Sequence, residues 1–275
     1  MFPTRSDPTR ISIHRSGGDQ PEQALIYLPG IANDGDLTIN RLLPFLLRYG
    51  TVIVANYPTH GFDPDETVAQ VVAQASGYES VVLLASSMGG LLVDRIVREI
   101  ERREPGIIVK VVGCCALASG EGAALPAAIL AHLCYWPLAS RPIISVSDWL
   151  VGLHDALPIE QAVREERRLL KAHRRALRGV PASARRAQLR FIATAELPKT
   201  CHDIECVYIQ ARQVDGKSDG FVLGSAVDAW KCVYPRAAQL HFDNLRHCTW
   251  VEQPKAWQRA LQLAFACLGV RPVGQ

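Results

Sequence analysis

The chain has no uninterrupted apolar run of the roughly 18 or more residues that a membrane-spanning helix needs. Its opening stretch, MFPTRSDPTR, lacks the apolar centre of a secretory signal, so a cytoplasmic protein is expected. Eight cysteines are present, including adjacent Cys114 and Cys115, but they are scattered without the spacing of a disulfide framework. Reduced thiols are the expectation. Cys201, His202 and Cys206 fall close together, yet no second pair of ligands stands at zinc spacing, so no metal site is assigned. Excess charge of one sign is also missing. The 30 Lys and Arg against 27 Asp and Glu leave a formal +3, too little to imply nucleic acid. Internal repeats and low-complexity linkers are absent.

What is present is an ordinary globular composition, 48% apolar and 21% charged over 275 residues. That length suits one large α/β domain with an insertion, or two small domains. Residues 10–16 alternate weakly (Ile11, Ile13), and short apolar runs at 24–28, 51–55, 81–85, 107–118 and 206–211 read as strands, with a further short segment at Leu240-His241-Phe242. Stretches of helical period at 36–48, 65–76 and 88–103 lie between them. Continuous apolar strands alternating with helices predict a parallel sheet covered on both faces. Catalytic groups of such a sheet belong at the carboxyl ends of its strands.

The most informative residue is Ser87, in Val81-Val82-Leu83-Leu84-Ala85-Ser86-Ser87-Met88-Gly89-Gly90. A serine at a tight strand-to-helix turn projects its hydroxyl out of the sheet, and the residues two before and two after it must be small. Ala85 and Gly89 meet that demand. The competing reading is a plain turn with Gly89 and Gly90 present for packing, and Ser86 competes as nucleophile at a less suitable spacing from Gly89. Such a serine needs a base, and His247 lies in a loop between Leu240-His241-Phe242 and the last helix. The imidazole needs an orienting carboxylate. Asp215, after the strand at 206–211, is favoured over Asp219 because it is nearer the strand end. Backbone amides of Met88 and Ile31 are the candidate oxyanion donors, the second from the glycine-containing loop Pro29-Gly30-Ile31-Ala32-Asn33-Asp34-Gly35.

Together these pieces resemble the α/β-hydrolase family. Leu28-Pro29-Gly30-Ile31 is similar to its oxyanion loop, Asn56-Tyr57-Pro58-Thr59-His60-Gly61 to the loop after the next strand, and Ala85 to Gly90 to its nucleophile elbow. His247 through Pro254 is similar to its His-x4-Glu-x-Pro ending, and the chain order Ser, Asp, His is the one this fold uses. The sequence departs from the family at Pro29, where histidine is usual, and at Ala85-Ser86, where Gly-His is usual. The resemblance implies a mostly parallel central sheet flanked by helices, with an inserted helical lid. Residues 1–119 and 201–275 would form the hydrolase core and 120–200 the lid, including a charged helix at 159–178.

Between 121 and 200 there are 12 Lys and Arg against 7 Asp and Glu, a net +5, so the rest of the chain carries −2. This basic segment would attract an anionic acyl compound, including one borne on a carrier protein or coenzyme A. Leu130, Leu133, Tyr135 and Trp136 are candidate acyl-pocket residues; a solvated arginine-rich face with ordinary packing is the plainer alternative. The expected activity is a serine hydrolase acting on an ester, lactone or thioester of a small to medium acyl compound, requiring no cofactor. The alternatives are a non-hydrolytic member (a lyase, cyclase or binding protein with a vestigial site) and a peptidase anchoring a substrate amine on Glu121 or Asp148.

Overall fold

Strands form where the sequence stays apolar on both sides of the pleat. In the computed structural model these are β1 (Arg10–His14), β2 (Gln23–Leu28), β3 (Thr51–Asn56), β4 (Ser80–Ser86), β5 (Ile108–Cys114), β6 (Glu205–Arg212) and β7 (Ala238–Asp243). The structure describes residues 9–15, 22–31, 34–58, 61–123, 182–212, 222, 224–243, 245, 250 and 253–273. The strands make one seven-stranded sheet in the order β1-β3-β2-β4-β5-β6-β7. β1 runs antiparallel to β3, and every other pairing is parallel. This is the mostly parallel sheet flanked by helices that the sequence predicts.

Alternate residues of each inner strand feed opposite faces. On β4, Val81, Leu83 and Ala85 join one apolar cluster, while Val82 and Leu84 join the other. The first face is covered by α3 (Pro64–Ala75), α4 (Gly90–Arg103) and α6 (Ser225–Val233). The second is covered by α1 (Gly35–Ile39), α2 (Leu43–Leu46) and α7 (Pro254–Cys267). With layers on both sides, β3 and β4 have almost no polar face, which explains their unbroken apolar reading.

Local chemistry sets the helix ends. The Asp63 carboxylate accepts from the amides of Asp65 and Glu66, and Pro64 opens α3 where its missing N–H costs nothing. The helical stretch expected over 36–48 is instead two short helices, α1 and α2. Pro44 explains the break, since in one continuous helix its ring would collide with the carbonyl of residue 40.

After β5 the chain leaves the sheet, and the described part of its return is α5 (Ala182–Thr194). The two stems of this excursion meet: the Gly120 amide donates to the Ala195 carbonyl at 2.8 Å. A side chain at Gly120 would overlap the Ile192 carbonyl, so the close approach requires glycine there. Phe191 and Ile192 bury against the α3–α4 face. The expected helix at 159–178, and Leu130, Leu133, Tyr135, Trp136 and Asp148, lie outside the described residues. Among the described residues, no helix is long and apolar enough to cross a membrane.

Candidate active site

Ser87 is the first residue past β4, and its φ of 50° lies in the left-handed region that non-glycine residues rarely occupy. Ser86 before it is still extended, with φ −120° and ψ 129°, and fully buried. The chain therefore reverses within one residue, through a 3-10 turn at Ser87–Gly89, into α4. That geometry leaves Ser87 partly accessible and Ser86 inside. Cys115, the other described non-glycine residue with positive φ (46°), occupies the matching position past β5, because Ser86 and Cys114 are register partners.

Two glycines let the turn sit this close to its neighbours. A Cβ on Gly89 would overlap the Leu28 carbonyl and stand 2.8 Å from the Pro29 oxygen. A Cβ on Gly90 would overlap the Leu117 carbonyl and stand 2.8 Å from the Ala116 Cβ. The Leu117 amide also donates to the Ser87 carbonyl at 2.9 Å. The elbow is thus wedged between backbone from the ends of β2 and β5. Gly89 and Gly90 serve close packing here, as the plain-turn reading expects, while Ser87 carries the positive φ.

The topology brings the loop after β2 to the same place. β2 connects through α1 to β3 on one side, whereas β4 connects through α4 to β5 on the other, with the two helices on opposite faces. A crevice opens where connections diverge in this way. Pro29, Gly30 and Ile31 follow β2 at that point of the sheet, with Ile31 packed on the cluster that contains Met88. At the loop's far end, Asp34 caps α1, and the Asp36 amide donates to the Asn56 side chain at 3.1 Å. The Asp36 carboxylate accepts from Ser12, at 2.6 Å, and pairs with His14 and Asn56. Burial opposes ionisation of Asp36, but these three hydrogen bonds outweigh it and hold its pKa below the ordinary value.

His247, Asp215 and Asp219 lie outside the described residues. The strands that lead to them are described: β6 and β7 are adjacent and parallel, with Arg212 opposite Asp243 at their carboxyl ends. Both point to the edge where β4 ends, and β5 separates β6 from β4. At about 4.8 Å per strand, the carboxyl ends of β6 and β7 stand roughly 10 and 14 Å from the end of β4. Past the histidine, Trp250 is fully buried, stacked on Trp257 at 4.3 Å and edge-on to Tyr27 at 5.6 Å. It anchors the returning chain onto β2 and α7.

Two polar arrangements escape a reading of the sequence. Asp94, two turns along α4 from Ser87, accepts from His202 Nε2 at 2.9 Å in a buried pair. Burial would raise the Asp94 pKa, but the His202 hydrogen bond and the Arg98 charge outweigh that effect and lower it. His202, which with its cysteine neighbours faintly resembles a ligand set, is thus committed to α4. Among the described residues no group of His, Cys, Asp and Glu could hold a metal ion. Tyr57 is the second case: its hydroxyl donates to the Pro29 carbonyl at 2.9 Å. Only a pairing signal between distant positions could have revealed either contact.

Comparison with known proteins places this arrangement. Among curated proteins there is no sequence match. Solved structures align over nearly the whole chain at low identity, which speaks to the fold. The enol-lactonase from Burkholderia xenovorans LB400 is 13% identical, with 94% of this chain and 96% of that one covered, at a TM-score of 0.64. An esterase from Thermogutta terrifontis is 13% identical, with 94% of each chain covered and a TM-score of 0.64. MenH from S. aureus is 14% identical, with 93% and 97% covered and a TM-score of 0.62. The sequence profile of the alpha/beta hydrolase family matches residues 25–260. With the strand order and the sharp turn after β4 pointing the same way, the chain belongs to the alpha/beta hydrolase family.

Proposed function

We propose that the protein is a serine hydrolase that cleaves an ester, lactone or thioester of a small to medium acyl compound through an acyl-enzyme. Ser87 Oγ attacks the carbonyl carbon while His247 takes its proton, and Asp215 orients the imidazole, with Asp219 as the alternative acid. Amides of Ile31 and Met88 receive the developing oxyanion. The intermediate collapses, the leaving group departs with the proton from His247, and water then hydrolyses the Ser87 ester by the same relay. Residues 120–200 form a lid over this site, with its basic charge favouring an anionic substrate. No step calls for a cofactor.

The observation that carries this reading is the left-handed φ of Ser87 at the tip of β4, in a turn whose glycines fit only against backbone. Strain of this kind persists where the surroundings enforce it, and it clusters at functional sites. A fluorophosphonate probe should label the wild-type protein at Ser87, and Ser87→Ala should abolish labelling. Labelling that persists in that variant refutes the assignment. A folded wild-type protein that neither labels nor turns over a broad p-nitrophenyl ester panel is instead a non-hydrolytic member of the family.

A further inference from the structure

The proposed mechanism needs the Ile31 amide held still, yet Ile31 sits in a loop, and loops are the mobile part of such sheets. The preceding residues show how it is held. The ring of Pro29 fixes its own φ, which removes one torsion. The Pro29 carbonyl is gripped from two sides. Gly89 brings the elbow backbone against it, 2.8 Å from the position a Cβ would take. Opposite, the Tyr57 hydroxyl donates to the same oxygen at 2.9 Å, in a buried hydrogen bond. Because a peptide unit is planar, a fixed carbonyl also fixes the Gly30 amide attached to it. Only the two backbone torsions of Gly30 then separate this anchored plane from the plane bearing the Ile31 amide.

Tyr57 is itself held. It comes from the loop after β3 and is 9% exposed. Phe62 stands edge-on to its ring at a centroid distance of 5.2 Å and an angle of 70°. Phe62 in turn meets Phe191 of α5 at 5.4 Å. Burial pushes the Tyr57 phenol far above its ordinary pKa, so the group keeps its proton and remains a donor throughout the working pH range.

We infer that Tyr57 is a positioning residue for the oxyanion-binding loop, acting through its hydrogen bond to the Pro29 carbonyl. The inference rests on the reading of Ser87 and Ile31 given above and adds the residue that keeps the Ile31 amide in register with the serine. Tyr57→Phe keeps the ring and its contact with Phe62 but removes the donor.

The test is the fluorophosphonate inactivation rate, measured per folded site on wild type, Tyr57→Phe, and a variant carrying 4-aminophenylalanine at position 57, with Ser87→Ala as background. Displacing one oxyanion donor without deleting it should slow inactivation about 10- to 100-fold, with the probe's initial binding constant unchanged. The aniline N–H of 4-aminophenylalanine should restore most of the rate. A role confined to stability would lower the melting temperature of Tyr57→Phe and leave the rate per folded site alone, which overturns the inference. So would a 4-aminophenylalanine variant as slow as Tyr57→Phe. Should Tyr57→Phe fail to fold, the 4-aminophenylalanine variant decides alone: a wild-type rate supports the inference and a large loss overturns it. Labelling that survives in Ser87→Ala sinks the underlying nucleophile reading. Labelling lost there, with Tyr57→Phe at the wild-type rate, sinks Tyr57 alone.

Discussion

Replacing Ser87 by glycine should make the protein more stable than replacing it by alanine, although both changes remove the hydroxyl. Alanine inherits the φ of 50° and its conflict between Cβ and the backbone, worth about 1–2 kcal/mol for an L-residue. Glycine relieves that strain but gains freedom in the unfolded chain, which takes back about 0.5–1 kcal/mol. With mid-range values of about 1.5 and 0.75 kcal/mol, the glycine variant should exceed the alanine variant by about 0.75 kcal/mol, within a span of about 0–1.5 kcal/mol. Unfolding entropy near 2.1 cal/mol/K per residue gives about 0.6 kcal/mol/K for 275 residues, so the melting temperatures should differ by about 1–2 °C. Replicate calorimetric scans resolve such a gap, and urea midpoints provide a second measurement. Neither variant should react with the probe. A glycine variant that melts clearly below the alanine variant would show that Ser87 stores less backbone strain than glycine's added freedom costs, and the main structural support for the nucleophile would go with it.

Gly90→Ala should destabilise by about 2 kcal/mol or more, because the new methyl meets the Leu117 carbonyl and Ala116, which are held in place, and this outweighs alanine's helix preference of about 1 kcal/mol. Gly106→Ala, with nothing within 4 Å of the added carbon, should stay within about 0.5 kcal/mol in the same urea titration. Asp94→Asn should cost about 1–3 kcal/mol at pH 7, since the neutral amide is a weaker acceptor for the buried His202 and gives up the ion pair with Arg98. The Asp94 pKa is lowered on folding, so its ionised form stabilises the protein above the unfolded value of 3.8, and that contribution fades as pH falls through the folded value. Urea midpoints followed from pH 7 to pH 3 should thus fall less steeply for Asp94→Asn than for wild type; parallel curves would rule out this linkage.

The sheet was legible because β2, β3 and β4 are apolar on both faces, and because Pro64, Asp63 and the paired Gly89 and Gly90 act locally. The split of the 36–48 helix was also readable, from Pro44, once its ring is set against residue 40. Other features depend on partners distant along the chain. His202 reaches Asp94 across 108 positions, and Tyr57 reaches Pro29 across 28. Neither residue type nor spacing encodes those choices. Sequence reasoning picked out Ser87 from small neighbours, and the structure adds why two of them are glycine, since Gly89 abuts the end of β2 and Gly90 the chain just past β5. It favoured Asp215 over Asp219 on nearness to the strand end alone, and both lie outside the described residues.

The hydrogen bond between Gly120 and Ala195 has a consequence for how this chain can vary. The chain leaves the core at Gly120 and returns at Ala195, and one hydrogen bond ties the two points together. Lengthening a loop whose ends are pinned costs only logarithmically, about 0.6 kcal/mol for each doubling. The pinch therefore fixes where any segment inserted between those two residues leaves and rejoins the core, whatever the length of the insertion.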